Sequence, residues 1–153
     1  MANQLPTMTL KAIGIVRNEV KERPPAERDW WVETVSEIVI APSLTEALDD
    51  LDDFSHIIVL YWMHQVAEGE VPLKVRPMGR EGLPLVGLFA SRSPNRPNRI
   101  GKATVRLLNR QGNVLMVKGL DALDGSPVID IKPYLPGYDS VGEAAVPRWI
   151  TNR

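Results

Sequence analysis

The chain has 153 residues, 44% of them hydrophobic, with a formal net charge of −1, which suits one domain with enough apolar material for a proper core. So small a net charge excludes global steering towards nucleic acid or membrane, and any basic patch must be local. The absence of cysteine excludes disulfides, thiolate metal sites and cysteine nucleophiles.

The N-terminal stretch to Ile13 has no basic region leading into a long apolar run, so no signal peptide is expected and the cytoplasm is the default location. Other apolar runs are too short to span a bilayer. Thr9 to Val16 is β-rich and reads as a first strand. Arg17 to Asp29 is charged, carries Pro24-Pro25 and reads as an exposed loop; Trp30-Trp31 follow it. Thr34 to Ile40 alternates and reads as a strand. Ser43 and Glu46 have capping-box spacing, and the apolar positions Leu44, Ala47, Leu48 and Leu51 predict one short helix ending before Phe54. His56 to Gln65 is the most apolar segment and reads as a central buried strand. Glu68 to Leu83 is loop, Leu85 to Ala90 a strand, and Ser91 to Gly101 a proline-stiffened basic loop. Thr104 to Leu108 and Asn113 to Leu120 read as strands joined by a turn at Asn109–Gly112. Val128 to Ile131 is a last strand, and the chain from Lys132 is irregular. Thirteen prolines and eleven glycines fit short strands and ordered loops. About seven strands and one short helix, not alternating, point to a mainly-β, single-domain antiparallel barrel spanning 1–153.

No glycine-rich dinucleotide loop, phosphate loop or zinc-protease motif is present. The two histidines, His56 and His64, are too far apart along one strand to share a metal, so no metal site is expected. Two stretches stand out. Arg92, Arg96 and Arg99 crowd into the loop Ser91–Gly101, and Asp121, Asp124, Asp130 and Lys132 punctuate Leu120–Pro133. Such arginines suit phosphate or carboxylate and such aspartates suit ribose hydroxyls; a structural ion-pair network accounts equally well for both.

Three blocks carry more than composition. Asp53-Phe54-Ser55-His56 runs into Leu60-Tyr61-Trp62-Met63-His64-Gln65. Val86-Gly87-Leu88-Phe89-Ala90-Ser91-Arg92-Ser93 continues to Arg96-Pro97-Asn98 and Ile100-Gly101. Leu120-Asp121-Ala122-Leu123-Asp124-Gly125-Ser126-Pro127-Val128 continues to Asp130-Ile131-Lys132-Pro133-Tyr134. In order and spacing they resemble the signature blocks of the tRNA threonylcarbamoyladenosine methyltransferase (TrmO-like, YaeB-like) family in its short form. The resemblance implies a non-Rossmann β-barrel methyltransferase that uses S-adenosyl-L-methionine, assembles as a homodimer and methylates a nitrogen of threonylcarbamoyl-modified adenosine in tRNA.

The resemblance implies a cofactor-binding set of His64, Gln65, Arg92, Asp121, Ala122, Leu123 and Asp124. Arg92 would hold the methionine carboxylate at two points, and the Asp121–Asp124 turn would meet the ribose hydroxyls and the adenine edge. The structural readings are a satisfied core histidine for His64, a barrel-closing salt bridge for Arg92 and an ordinary Asp-Gly turn for the aspartates. No catalytic residue is evident; His64 is the candidate proton acceptor if the target nitrogen carries a proton. Arg96, Asn98 and Lys132 match the signature as candidates for substrate contact or loop shaping. His56 reads as structural.

The family's Pro-Arg-Gln triplet after the first strand has no full counterpart. Pro25-Ala26-Glu27-Arg28-Asp29-Trp30-Trp31 stands there, with Arg28 as the candidate for the family's arginine. Trp30 and Trp31 suit stacking on a planar acceptor, although plugging one barrel end is the favoured reading of two such large rings. This departure keeps two other readings open: the same chemistry on a small-molecule acceptor, and a non-catalytic, cofactor-binding dimeric adaptor. No membrane partner is expected.

Overall fold

The structure is a computed structural model that describes residues 4–24 and 29–151. Its strands are β1 (Gly14–Arg17), β2 (Val35–Ile40), β3 (His56–Trp62), β4 (Lys74–Val75), β5 (Val86–Gly87), β6 (Ile100–Gln111), β7 (Val114–Lys118) and β8 (Pro127–Pro133). Six of them close a barrel in the order β1-β2-β7-β6-β3-β8, and β4 and β5 form a separate two-stranded sheet. Every pairing is antiparallel, as the mainly-β pattern predicts.

Alternation builds the core. Val105 and Leu107 on β6, Leu115 and Val117 on β7, Ile57, Val59 and Tyr61 on β3 and Ile38 and Ile40 on β2 point inward and are buried. Lys102, Thr104 and Arg106 take the alternate, exposed positions of β6. This is the period of two that a strand with one wet face requires.

The register runs the strands between two rims. One rim collects the end of β1, the start of β2, the end of β7, the start of β6, the end of β3 and the start of β8. The other is covered by two 3-10 turns, Pro42–Leu48 and Leu51–Asp53. A recess of about 430 Å³ opens at this second rim, lined by Ile13, Leu44, Leu48, Phe54 and Ile131 among others.

Several boundaries differ from the predicted ones for local reasons. The predicted helix over Ser43–Leu51 is two 3-10 turns. Pro42 moves the cap to Ala41, no side chain caps it, and Asp50 takes φ 69, breaking the run before Leu51. The first strand starts at Gly14 rather than Thr9, because its partner β2 ends at Ile40 and Pro42 opens a turn there. β3 stops at Trp62, opposite Ile100 where β6 begins, so His64 and Gln65 lie on the following turn instead of the strand. The predicted strand Leu85–Ala90 ends at Gly87, where a 3-10 turn drives Leu88 inward. β6 continues through Asn109–Gln111, and the hairpin turn falls on Gly112–Asn113. Beyond β8 the chain forms two four-residue helices, Pro136–Asp139 and Arg148–Thr151.

Candidate functional site

The first rim gathers the loops that carry most of the predicted site. The turn after β3 places His64 beside the turn before β8: Ser126 Oγ lies 3.4 Å from His64 Nδ1. Gly125, at φ +84, is where the backbone must turn left-handed, and a side chain there would meet the His64 ring. A residue other than glycine would be strained by its own backbone, while its Cβ would rest in ordinary contact with the imidazole.

The loop after β1 joins the same cluster. Gln65 Nε2 donates to the Lys21 carbonyl at 2.9 Å. Lys21 Nζ meets Asp124 Oδ2 at 2.5 Å, and the Asn18 backbone N–H donates to Asp124 Oδ1 at 3.0 Å. The Lys21 hydrogen bond, then that of Asn18, holds the Asp124 carboxyl below the usual carboxylate range, against a smaller desolvation effect. Asp124 is therefore a fixed anion committed to its own loop.

Asn18 is the residue that sequence reading missed. Its Nδ2 donates to Ser36 Oγ on β2 at 3.0 Å and to the Ala122 carbonyl at 2.9 Å. Its Oδ1 accepts the Val20 amide at 2.9 Å. One side chain thus pins β1, β2 and the Leu120–Gly125 turn together. The signal was present in outline: an asparagine directly after a strand, accepting from the amide two residues on, is the Asx-turn pattern.

Asp121 behaves differently from Asp124. Its backbone carbonyl accepts a hydrogen bond from the buried Tyr61 hydroxyl. Its carboxyl is pushed up to about 6 by desolvation, with the Arg23 cation pulling the other way. The residue as a whole is exposed, so water screens the effect, and the direction of the shift carries the chemistry. Burial, reinforced by the Asp121 charge, raises the Tyr61 phenol, which keeps it a donor at every physiological pH. The Tyr61 ring lies directly over Gly101, where a Cβ would overlap it.

The basic loop before β6 flanks the His64 turn. The Met63 amide donates to the Arg99 carbonyl at 2.8 Å, and Arg99 Nη1 donates to the Val66 carbonyl at 2.9 Å. Arg96 Nη1 donates to the carbonyls of Ser91 and Ser93 at 2.8 and 3.2 Å, and its guanidinium lies 5.8 Å from the centre of the Phe89 ring. Arg96 therefore shapes the loop. Arg92 is exposed and makes no hydrogen bond or ion pair among the described residues. The backbone carbonyl of Asn98 accepts the Ile100 amide at 2.8 Å.

Trp30 and Trp31 are half-buried at this rim, edge to face with centroids 6.2 Å apart. The Trp30 carbonyl accepts Thr34 Oγ1, and the Thr34 carbonyl accepts the Gly119 amide after β7. Arg28 lies outside the described residues. Lys132 is not at this rim: it sits on β8 opposite Ile58, on the outer wall, paired with Asp130 at 3.0 Å. The recess at the second rim is nowhere near His64 or Asp121, and its lining is mostly apolar, so the loop cluster is the candidate site. Among the described residues no group of acidic and histidine side chains could hold a metal, and no helix is long and apolar enough to cross a membrane.

The model of the tRNA-methyltransferase O N-terminal domain matches residues 17–140. The chain belongs to the TrmO family. It is 48% identical over 135 residues to a probable S-adenosyl-L-methionine-binding protein of Methanothermobacter thermautotrophicus, covering 87% of this chain and 94% of that one. It is 37% identical over 141 residues to the tRNA (adenine(37)-N6)-methyltransferase of Escherichia coli, covering 87% of this chain and 60% of that one. The crystal structure of TrmO from Pseudomonas aeruginosa superposes with a TM-score of 0.76 at 32% identity, over 93% of this chain and 62% of that one. This chain also spans 37% of a longer probable S-adenosyl-L-methionine-binding protein of Archaeoglobus fulgidus, at 47% identity. The family's barrel is the one found here.

Proposed function

We propose that this TrmO-family chain is an S-adenosyl-L-methionine-dependent N-methyltransferase acting on threonylcarbamoyl-modified adenosine of tRNA, working as a homodimer in the cytoplasm. The names of its relatives supply the cofactor and the acceptor base. The observation that carries the reading onto this chain is the rim cluster itself, where the groups left uncommitted match the polar parts of that cofactor. Arg92, with no partner among the described residues, offers a planar fork to the methionine carboxylate. Asp121, with a carboxyl that burial destabilises as an anion, gains from ribose hydroxyl donors or from a nearby cation. The backbone amides of Ala122 and Leu123 are offered to the adenine edge, their carbonyls being engaged by Asn18 and Ser126, and His64 and Gln65 close the other side.

The cofactor supplies an activated methyl group on a positive sulfur. What remains for the protein is alignment and exclusion of water. Asn18 fixes the height of the Ala122 carbonyl, Tyr61 fixes that of Asp121, and Arg99 and Lys21 fix the turn carrying His64 and Gln65 from either side. His64 Nε2 is the base within this cluster for a proton leaving the acceptor nitrogen; its Nδ1 faces Ser126 Oγ. Trp30 and Trp31 provide aromatic area at the rim for a planar acceptor.

Isothermal titration with S-adenosyl-L-methionine, followed by methyl transfer to tRNA carrying the threonylcarbamoyl group, tests this. Micromolar binding and incorporation into tRNA are expected. In a folded Arg92→Ala variant, cofactor affinity should fall by about 1.5–3 kcal/mol, the worth of hydrogen bonds to a charged group. Cofactor binding with no transfer to tRNA or to small acceptors would leave the adaptor reading standing instead.

A further inference from the structure

The outer wall of the barrel beside the candidate site carries cations that the fold does not use. Across three strands the register sets one row, Lys118 on β7 opposite Arg106 on β6 and Arg106 opposite His56 on β3, and Tyr134, just past the end of β8, continues it: its amide donates to the His56 carbonyl and its ring meets the imidazole edge-on at 6.4 Å. Lys102 stands two positions before Thr104 and four before Arg106 on the same exposed face of β6, opposite Leu60, one residue before the site tyrosine. Lys132 flanks Ile58 from β8.

Of these four cations, Lys118 is paired with Glu33 and Lys132 with Asp130. Lys102 and Arg106 are exposed and have no partner among the described residues. Arg106 and Lys118 are moreover like charges placed directly opposite, an arrangement that destabilises a sheet. On a chain with a net charge of −1, Lys102 and Arg106 share the exposed face of β6 with no partner among the described residues, and Arg106 also faces Lys118; an external anion would offset that local charge.

We infer that the Lys102–Arg106–His56–Tyr134 wall is a track for the RNA backbone flanking the methylated base, with phosphates on the cations and a base or ribose against the His56–Tyr134 ring pair. The assignment rests on the tRNA reading above and deepens it. A base that reaches the rim must leave its stack, and its neighbouring phosphates then lie against the adjoining wall. Lys102 begins the track one residue from Tyr61, and about four residues of strand, roughly 13 Å, bring it to Arg106. Cationic tracks interleaved with aromatic rings are how single-stranded nucleic acid is held with little sequence preference. At its far end β6 packs against the acidic turn Leu51–Asp53, and the Leu107 amide donates to the Ser55 carbonyl just after it; the turn's carboxylates would repel phosphate and stop the track.

The test uses the purified full chain, fluorescein-labelled bulk tRNA and a salt series. The Lys102→Gln/Arg106→Gln variant should bind tRNA about tenfold more weakly near physiological salt. Its log–log salt slope should be shallower by about 1.4–1.8, as expected for two lost phosphate contacts. Its affinity for S-adenosyl-L-methionine should stay within twofold of the unaltered chain, which also reports folding; Arg106→Lys, keeping the charge, should bind nearly normally. Unchanged tRNA affinity in the double variant, with binding by the unaltered chain, overturns the track and leaves the tRNA reading intact. An unaltered chain that binds no tRNA while methylating a small acceptor overturns both. A change of oligomeric state in the variant, or binding to phosphatidylserine vesicles that the variant loses and tRNA does not compete, assigns the wall to another copy or to a membrane and overturns the RNA track.

Discussion

At the scale of single residues, the two aspartates of one turn show how position sets chemistry. Asp124 is held ionised by Lys21 and the Asn18 amide, whereas Asp121 is pushed up to about 6. An acid whose folded-state pKa exceeds its unfolded value, near 3.9, favours the folded state at low pH, and that contribution disappears as pH rises from about 4 through about 6. The same charge that costs stability becomes useful once a cationic sulfur or donor hydroxyls sit beside it. Affinity for S-adenosyl-L-methionine should therefore weaken as pH falls from 7.5 to 5, and Asp121→Asn should flatten that dependence. Calorimetric titrations across this range decide it; a wild-type affinity constant over the range removes Asp121 from the cofactor site. Residue type and spacing marked both aspartates but not the difference between them, which depends on Lys21 and Asn18, more than a hundred positions away in the chain. Asn18 was missed for the same reason: a lone asparagine after a strand announces a turn, not a bond to Ala122.

At the scale of elements, the strands were legible because alternation and short apolar runs survive in any context, and the antiparallel barrel follows from strands that do not alternate with helices. The ends of strands were less so. β1 begins late and β3 ends early because a partner strand stops, which is a property of pairing, not of the segment itself. The helix over Ser43–Leu51 failed although its spacing was right, because Pro42 and the left-handed Asp50 confine it to tight turns. One packing constraint ties an element to the site. The Tyr61 ring covers Gly101 on the neighbouring strand, and its hydroxyl reaches the Asp121 carbonyl. Gly101→Ala should displace the ring and destabilise the barrel by about 1–3 kcal/mol, the usual cost of overpacking. Adding Tyr61→Ala to that variant should make the two losses non-additive, since the clash is then gone. Urea melts of the two single variants and the double give the coupling. Additive losses would mean that the ring and the glycine do not constrain each other.

At the scale of the whole molecule, what the barrel leaves open is an apolar excursion between β3 and β6. Leu73, Phe89, Leu85 and Met78 are 85%, 79%, 53% and 49% exposed, all within or beside the small β4–β5 sheet. A folded chain gains nothing from presenting that much apolar surface to water, and concentrations of this kind mark contact surfaces. Arg96 lies over Phe89 and belongs to the loop that carries Arg92, so covering this sheet would also order the arginine proposed to hold the cofactor. We predict that the β4–β5 sheet is the homodimer interface. Sedimentation of the unaltered chain at micromolar concentration should give a dimer. Phe89→Ala should weaken it by at least about 2 kcal/mol, roughly thirtyfold, as loss of a central aromatic anchor does. Cofactor affinity should then fall with dilution in step with dissociation. A monomeric unaltered chain would exclude the dimer, and a dimer indifferent to Phe89→Ala would move the interface elsewhere on the barrel. If the dimer parts while cofactor affinity holds, the site is complete within one chain and the sheet serves assembly alone.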